Sequence, residues 1–216
     1  MPPAARHLYT LDSRSFERRL ATNPLVILPI GALEAHGPHL PLGADQIQAE
    51  ATALALADRV DGLVAPTVAY GSAPGARRFP GTVSLSMAEL ETHVAGILGE
   101  LARSGVRRIL VLSGHAERGH MAALREAADV AMRAHPGSRI VVLSDYDFVY
   151  ELRGKESPPT DGHAGLLETG GEACPVRRGH TAGLAHKGDI GRASGPQHLA
   201  GDVFHGFQHP FLRHRR

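Results

Sequence analysis

Residues 25–45, LVILPIGALEAHGPHLPLGAD, combine a short apolar run with side chains that commonly bind transition metals. The apolar run breaks at Gly31, and the loop behind it carries Glu34, His36, His39 and Asp45. Carboxylate oxygens together with imidazole nitrogens suit Zn, Mn or Fe better than Ca or Mg, and a carboxylate such as that of Asp45 can bridge two ions. This loop is therefore predicted to form half of a metal-dependent hydrolase site.

A second segment repeats the spacing of the first, because His115 and Glu117 are two positions apart, as Glu34 and His36 are. In an extended segment this spacing places both side chains on one side, so that each pair could bind adjacent ions. If Asp45 bridges the ions, each of two metals receives three donors and room remains for a shared water. Two ions roughly 3.5–4 Å apart would lower the pKa of that water and polarise the bond under attack.

The alternative interpretation is that these are ordinary polar loop residues that cap helices. Asp45 lies near a predicted helix start, where Asp is favoured as an N-cap without any metal. This alternative accounts well for any single residue but poorly for all of them in register behind predicted strands. Other polar residues are interpreted as structural (His93 and His120) or as solvated loop charges (Arg77 and Arg78), although two arginines could also clamp an anion.

Four predicted strands alternate with helices. The strands are expected at residues 25–30, 63–69, 108–112 and 139–144, and the helices at about 45–58, 86–104 and 121–134. Ser86 and Glu89 have the spacing of a capping box, which opens the second of these helices. The alternation predicts an α/β fold with three layers, α/β/α, around a mostly parallel central sheet.

The loops behind the strands should meet in one crevice, because an open parallel sheet binds its ligands outside the carboxyl ends of its strands. The residues that follow strands one, three and four are Glu34, His36, His115, Glu117, Asp145 and Asp147, with His163 in a later loop. Segments that are far apart in the chain are thus predicted to build one site.

The composition is that of a globular chain without a strong charge imbalance. With 216 residues it fits one domain, 1–216, although residues 175–216 follow no clear pattern and could form contacts between subunits. The 23 basic and 22 acidic residues favour a small-molecule substrate over nucleic acid or a membrane. A lone cysteine, Cys174, excludes an internal disulfide and predicts a cytoplasmic protein. The sequence has neither the apolar region of a signal peptide nor a run of the roughly 20 apolar residues that span a membrane.

Four blocks of the sequence resemble, in order, the motifs of the creatininase family of metal-dependent amidohydrolases. LPIGALEAHGPHLPLGAD resembles the opening motif, FPGTVSL from Phe79 the second block, LVLSGHAERG the third and DGHAGLLETG the fourth. The blocks span about residues 25–170. The resemblance implies the fold of that family and a homo-oligomer, which is a hexamer in typical members.

The resemblance also implies a set of metal ligands. One ion would be held by Glu34, Asp45 and His115, and the other by His36, Asp45 and Glu117, with Glu168 as a reserve ligand. The implied cofactors are two divalent ions per chain, with zinc expected and manganese or iron as alternatives.

His163 matches the family histidine that faces the substrate, and His163 and Glu117 are the predicted catalytic residues. Imidazole titrates near neutral pH and can transfer a proton to a leaving nitrogen. A histidine at a helix start, bonded only to backbone, is the alternative for His163. The substrate side is expected to include Ser72, Ala116 and His163, while His39 is expected to orient the ligand loop.

The implied reaction is hydrolysis of a C–N bond, other than an ordinary peptide bond, in an amide or cyclic amide by a water that two metal ions activate. Within the family, deformylase and mycofactocin-type peptide-trimming activities are alternatives. A metal-binding scaffold without catalysis is the alternative from another class. A nucleotide-binding domain is disfavoured, because no Gly-x-Gly-x-x-Gly or phosphate-loop pattern follows the first strand.

Departures from the family motifs bear on the substrate. Ala73-Pro74-Gly75-Ala76 replaces the usual Ser-Gly-Glu-His of the second block, and Arg118 and Gly170 replace the usual Asn and Ser. The losses at Ala73, Ala76 and Arg118 support the scaffold alternative. Because Ala116 replaces a tyrosine and the chain has no tryptophan, creatinine fits poorly as a substrate.

Overall fold

The computed structural model describes residues 6–147 and 162–165, and a sheet of four parallel strands forms its centre. The strands are β1 (Leu25–Ile30), β2 (Leu63–Val64), β3 (Arg108–Ser113) and β4 (Arg139–Ser144), in the order β2-β1-β3-β4. β3 pairs along its whole length with β1 on one side and with β4 on the other. The predicted α/β class with a parallel sheet is confirmed.

The described helices are α1 (Ser13–Leu20), α2 (Ala44–Val60), α3 (Met87–Arg103) and α4 (Arg118–Ala134). The capping box of α3 is confirmed, since the side chains of Ser86 and Glu89 each accept a hydrogen bond from the other residue's backbone N–H. α4 begins before the predicted start at Met121, because the carboxylate of Glu117 caps it by accepting from the N–H of His120.

A helix and a strand differ further from the prediction. α1 was not expected, because its 8 residues are too few to show a clear apolar period; Asp12 caps it by accepting from the N–H of Ser15. β2 has 2 residues instead of the predicted run 63–69. The chain leaves the sheet after Val64 and meets β1 again through an isolated bridge between Ile30 and Val68.

Helices cover both faces of the sheet, as the three-layer prediction requires. Val26, Leu28 and Ile30 of β1 pack with the buried faces of α3 and α4, whereas Leu25 and Ile27 pack with α2. Because both faces are covered, β1 is apolar throughout, and β3 and β4 are apolar between a first Arg and a last Ser, without alternation with polar residues. Among the residues that the structure describes, no helix is long and apolar enough to cross a bilayer.

The organisation beyond these layers stays a prediction. The proposed domain boundary 1–216, the role of residues 175–216 and the reserve ligand Glu168 all lie wholly or partly outside the described residues.

The carboxyl ends of β1 and β3 meet where Ile30 pairs with Ser113, and this edge brings two loops onto the first turn of α2. Gly114, directly after β3, lies so close to α2 that a Cβ there would overlap the backbone carbonyl of Asp45. The close approach requires glycine, and it brings the chain that carries His115 next to Asp45.

This contact predicts opposite effects of two glycine-to-alanine substitutions. Gly114→Ala should lower the free energy of unfolding by about 1–3 kcal/mol, because the new methyl group forces backbone apart. Gly96→Ala, in an open position on α3, should raise it by about 0.5–1 kcal/mol through helix propensity. Urea unfolding followed by circular dichroism measures both values. Equal effects of the two substitutions would contradict the close contact.

Candidate metal centre

Four of the predicted ligands converge at the carboxyl edge of the sheet and are buried: Glu34, His36, Asp45 and His115. His36 Nε2 lies 2.9 Å from Asp45 Oδ1. His115 Nδ1 lies 2.8 Å from Glu34 Oε1 and 3.1 Å from Asp45 Oδ2. Segments far apart in sequence therefore meet in space, as the strand-end rule predicts.

The loop that carries Glu34 and His36 is held by the second sequence block. Val83 forms an antiparallel bridge with Leu33, and the hydroxyl of Thr82 accepts a hydrogen bond from the N–H of Ala35 at 3.0 Å. The N–H of Glu34 donates to the carbonyl of Leu42 at 3.0 Å. These contacts fix the backbone on both sides of the Glu34 carboxylate.

Asp45 lies in the first turn of α2, where the helix dipole favours a negative charge. The N-cap of α2 is Gly43, so the alternative in which Asp45 serves as the N-cap is wrong. Its two carboxylate oxygens face His36 and His115 instead.

Three imidazoles are oriented in the same way, each by one backbone carbonyl. The pairs are His36 Nδ1 with Glu34 O at 3.1 Å, His115 Nε2 with Ser72 O at 3.1 Å, and His163 Nε2 with Ala35 O at 2.8 Å. A carbonyl can only accept, so each of these ring nitrogens carries a hydrogen. The opposite nitrogen of each ring then faces the carboxylates, which is the usual orientation of histidines that bind metals.

Two buried carboxylate oxygens of Glu34 and Asp45 indicate that these residues fit a divalent cation. Glu34 Oε1 and Asp45 Oδ2 are buried and accept no hydrogen bond of normal geometry, although His115 Nδ1 lies within about 3 Å of both. Oxygen and nitrogen atoms that share one zinc ion at about 2.0–2.2 Å lie roughly 3–3.5 Å from one another. The distances of 2.8 and 3.1 Å from His115 Nδ1 are close to that spacing, and one ligand atom from each of the three residues lies within 4.8 Å of the other two.

A second group of candidate ligand atoms comes from Glu34, His36 and His163. The ring of His163 packs against that of His36 with 4.4 Å between centroids, and its Nδ1 lies 3.6 Å from Glu34 Oε1. The His163 side chain is 47% exposed, so it stands at the rim of the centre. Nε2 of His163 bonds to the backbone carbonyl of Ala35, as expected if the residue were bonded only to backbone. Nδ1, on the other side of the ring, faces the metal centre.

The buried charges shift each other's pKa strongly. Burial alone would lower the pKa of His115, but Asp45 and Glu34 raise it to about 10. Burial opposes ionisation of Asp45, yet hydrogen bonding and attraction from His115 and His36 lower its pKa to about 2. Without a metal, the cluster therefore holds a cationic His115 beside the anionic carboxylate of Asp45.

The structure does not place Glu117 in either group of candidate ligand atoms. Its Oε2 accepts from the N–H of His120 at 2.8 Å as the cap of α4, while the residue also lines the neighbouring cleft. Only Oε2 is engaged in the cap, and neither group of candidate ligand atoms includes this carboxylate. The role of Glu117 as ligand and catalytic residue stays a prediction.

The remaining predicted site residues lie around the centre. His39 is half-buried, with its ring packed over Gly37, and belongs to neither ligand group. Ser72 is buried beneath the centre and does not line the cleft, whereas Ala116 does. The roles proposed for these residues stay predictions.

Sequence reasoning missed the contacts of two buried polar residues. The sequence indicates only a structural role for His120, but its ring forms hydrogen bonds with Ser72 and Ser113, which also hold His115. Burial is the main cause that lowers the pKa of His120 to about 3, and the positive charge of His115 is the second cause. Asp145 follows β4 and accepts from Gln48 Nε2 at 2.7 Å; burial, as the main cause, raises its pKa to about 7. The position of Asp145 behind a strand was a signal, but no spacing rule identified its partner on α2.

A cleft of about 770 Å³ opens beside the centre. Glu34, His115, Glu117 and His163 form its polar wall. The rest is mainly apolar, and it includes Leu42, Ala73, Ala76, Phe79 and Tyr146. A substrate in this cleft would present one polar group to the buried cluster and apolar groups elsewhere.

Comparison with known proteins gives concordant results. The family model Creatininase, described as creatinine amidohydrolase, matches residues 10–171. The chain is 37% identical over 177 residues to creatinine amidohydrolase of Pseudomonas putida, covering 74% of this chain and 67% of that protein. It is 39% identical over 153 residues to the mycofactocin precursor peptide peptidase of Mycolicibacterium smegmatis, covering 68% of this chain and 56% of the relative.

Solved structures agree with these matches. Creatininases described as "Zn-Zn type" and "Creatininase Mn" each superpose with a TM-score of 0.69 at 32% identity, over 76% of this chain. The match covers 69% and 70% of those chains, respectively. Relatives with this fold thus bind divalent metals.

The charge state of His115 predicts how metal binding depends on pH. Because its pKa is about 10 and a metal needs the neutral ring, binding of zinc near pH 7.5 should release about one proton. Affinity should accordingly fall about tenfold for each pH unit below the pKa of His115. Titration calorimetry in buffers of different ionisation enthalpy measures the released proton. A binding enthalpy that is the same in all buffers would contradict the prediction, and His115→Ala is the control.

Proposed function

Since this chain belongs to the creatininase family, we propose that it is a metal-dependent amidohydrolase that cleaves a C–N bond in an amide or cyclic amide. The observation that carries the proposal is the buried cluster of Glu34, Asp45 and His115, in which two carboxylate oxygens lie about 3 Å from His115 Nδ1 but accept no hydrogen bond of normal geometry. Family membership alone would not indicate whether this chain keeps a metal site.

We propose that the chain binds two divalent ions, with zinc or manganese as the candidates that relatives suggest. Glu34, Asp45 and His115 would hold the first ion. The second ion has two possible sets of ligands, and His36 belongs to both. One set adds Asp45, whose Oδ1 is 2.9 Å from His36, together with Glu117; the other adds Glu34 and His163.

When bound, divalent cations lower the pKa of a water and polarise the carbonyl under attack. The side chains supply the remaining steps. In the ligand set with Asp45 and Glu117, Nδ1 of His163 faces the cluster without serving as a ligand and can take a proton. The oxygen of the water bonds to the carbonyl carbon, and the proton of the water passes to that nitrogen. His163 then delivers that proton to the nitrogen as the C–N bond breaks. The carbonyl of Ala35, which accepts from Nε2, holds the ring in the orientation that this transfer needs.

The cleft supports a substrate with apolar groups larger than creatinine. Ala73, Ala76 and Ala116 leave open space where a larger side chain would reach into the cleft. A peptide-trimming activity is the second candidate function, because the open apolar cleft could accept a peptide end and a relative at 39% identity is a mycofactocin precursor peptide peptidase. No contact in the described residues favours a deformylase.

Substitution of the residues that would hold the first ion tests this proposal. His115→Ala and Glu34→Ala should each lower the rate of amide hydrolysis by more than about a hundredfold, because each removes a donor from the buried cluster. The assay is a panel of cyclic amides, formamides and short peptides, with zinc or manganese restored after chelation. His93→Ala, on the exposed face of α3, is the control and should keep full activity.

Two outcomes would overturn the assignment. Activity that survives both ligand substitutions would exclude this cluster as the catalytic centre. Tight zinc binding by the wild-type chain without hydrolysis of any class of substrate would favour the non-catalytic scaffold.

The apolar wall leads to a separate prediction about specificity. Phe79 lines the cleft and is 46% exposed, so its ring is available to a substrate. Phe79→Ala should raise KM for substrates with an apolar group by about tenfold and leave kcat nearly unchanged, because it removes contact area far from the reacting bond. Steady-state kinetics on an apolar and a polar amide measures the difference. A fall in kcat with unchanged KM would contradict this role.

A further inference from the structure

We propose that His120 is a positioning residue that holds the metal ligand His115 in its binding orientation through Ser72 and Ser113. The inference rests on the proposed function, because it concerns the affinity of the metal centre. It concerns a residue that does not line the cleft and belongs to neither group of candidate ligands.

Both ring nitrogens of His120 have defined partners. Nδ1 accepts from the N–H of Ser72 at 3.2 Å, so the ring hydrogen resides on Nε2, which donates to Ser113 Oγ at 3.1 Å. The side chain is completely buried, and water cannot replace either partner. The bonds therefore fix one tautomer and one ring orientation.

The same two serines hold His115. The carbonyl of Ser72 accepts from His115 Nε2 at 3.1 Å, and this bond leaves Nδ1 facing Glu34 and Asp45. The hydroxyl of Ser113 donates to the carbonyl of His115 at 2.8 Å and lies 3.1 Å from its N–H. His120 and His115 are thus linked in a closed hydrogen-bonded ring.

Packing reinforces this arrangement. The rings of His115 and His120 meet edge to face, with 4.8 Å between centroids and 86° between planes. The chain before Ser72 passes close to His120, and a Cβ on Gly71 would lie 2.7 Å from Cε1 and 2.9 Å from Nδ1 of that ring. Glycine at position 71 therefore allows the backbone of Ser72 to reach both imidazoles.

A histidine that only filled space would have polar contacts unrelated to the metal ligands. Here both contacts lead to residues that bond directly to His115. Partners of this kind, one step removed from a ligand, typically change metal affinity by about 10- to 100-fold when they are lost.

Zinc affinity measured by competition with a chromophoric chelator tests the proposal without any assay of activity. His120→Phe keeps the ring but loses both hydrogen bonds, and it should weaken zinc binding by about 10- to 100-fold. His120→Asn can retain an acceptor for Ser72 and should restore part of the affinity. His93→Phe, exposed on α3, is the matched control and should bind zinc as the wild type does.

Ser113→Ala keeps the proposal testable if His120→Phe does not fold, because it removes the hydroxyl that links His120 to His115. It should weaken zinc binding in the same direction, while circular dichroism reports folding. Wild-type zinc affinity in folded His120→Phe, or in folded Ser113→Ala if the first variant does not fold, would overturn the proposal. Failure of the wild-type chain itself to bind zinc would instead overturn the proposed function, so the two failures are distinguishable.

Discussion

Glu34 and Asp45 are carboxylates withdrawn from water, and their burial is the constraint on which the rest of the site depends. A buried carboxylate is costly unless a charge or hydrogen-bond donor compensates it. Here His115 approaches both groups, yet one oxygen of each accepts no hydrogen bond of normal geometry. A divalent cation resolves this mismatch better than a proton does, because it attracts all three groups without requiring a bond direction.

The fold is arranged to bring these charges together. Parallel pairing places the ends of β1 and β3 side by side, and the contact at Gly114 allows the chain after β3 to reach the first turn of α2. Backbone carbonyls then orient the imidazoles, so the direction of each ligand nitrogen depends on the position of the main chain. The packing of helices on the sheet fixes that position. The cleft beside the cluster is mainly apolar, which concentrates the polar chemistry at one wall.

Sequence patterns predicted the parts of this structure that depend on local rules. The apolar strands, the capping box at Ser86 and the meeting of four predicted ligands behind parallel strands all follow from periodicity and sheet geometry. The cap formed by Glu117 could not be read from sequence, because a carboxylate two residues after His115 fits a metal ligand as well as a helix cap, and only the backbone geometry shows the cap. His120 was underestimated for a similar reason, since its partners lie on separate loops.

The cluster of Glu34, Asp45 and His115 is proposed to bind a divalent cation. Anomalous diffraction from crystals of this protein grown with zinc is the sharpest test of that binding, because the signal locates the ion without reference to activity. We expect a strong peak at about 2.0–2.2 Å from Glu34 Oε1, Asp45 Oδ2 and His115 Nδ1. No peak between these atoms in zinc-loaded crystals, with His115 still paired to the carboxylates, would contradict it.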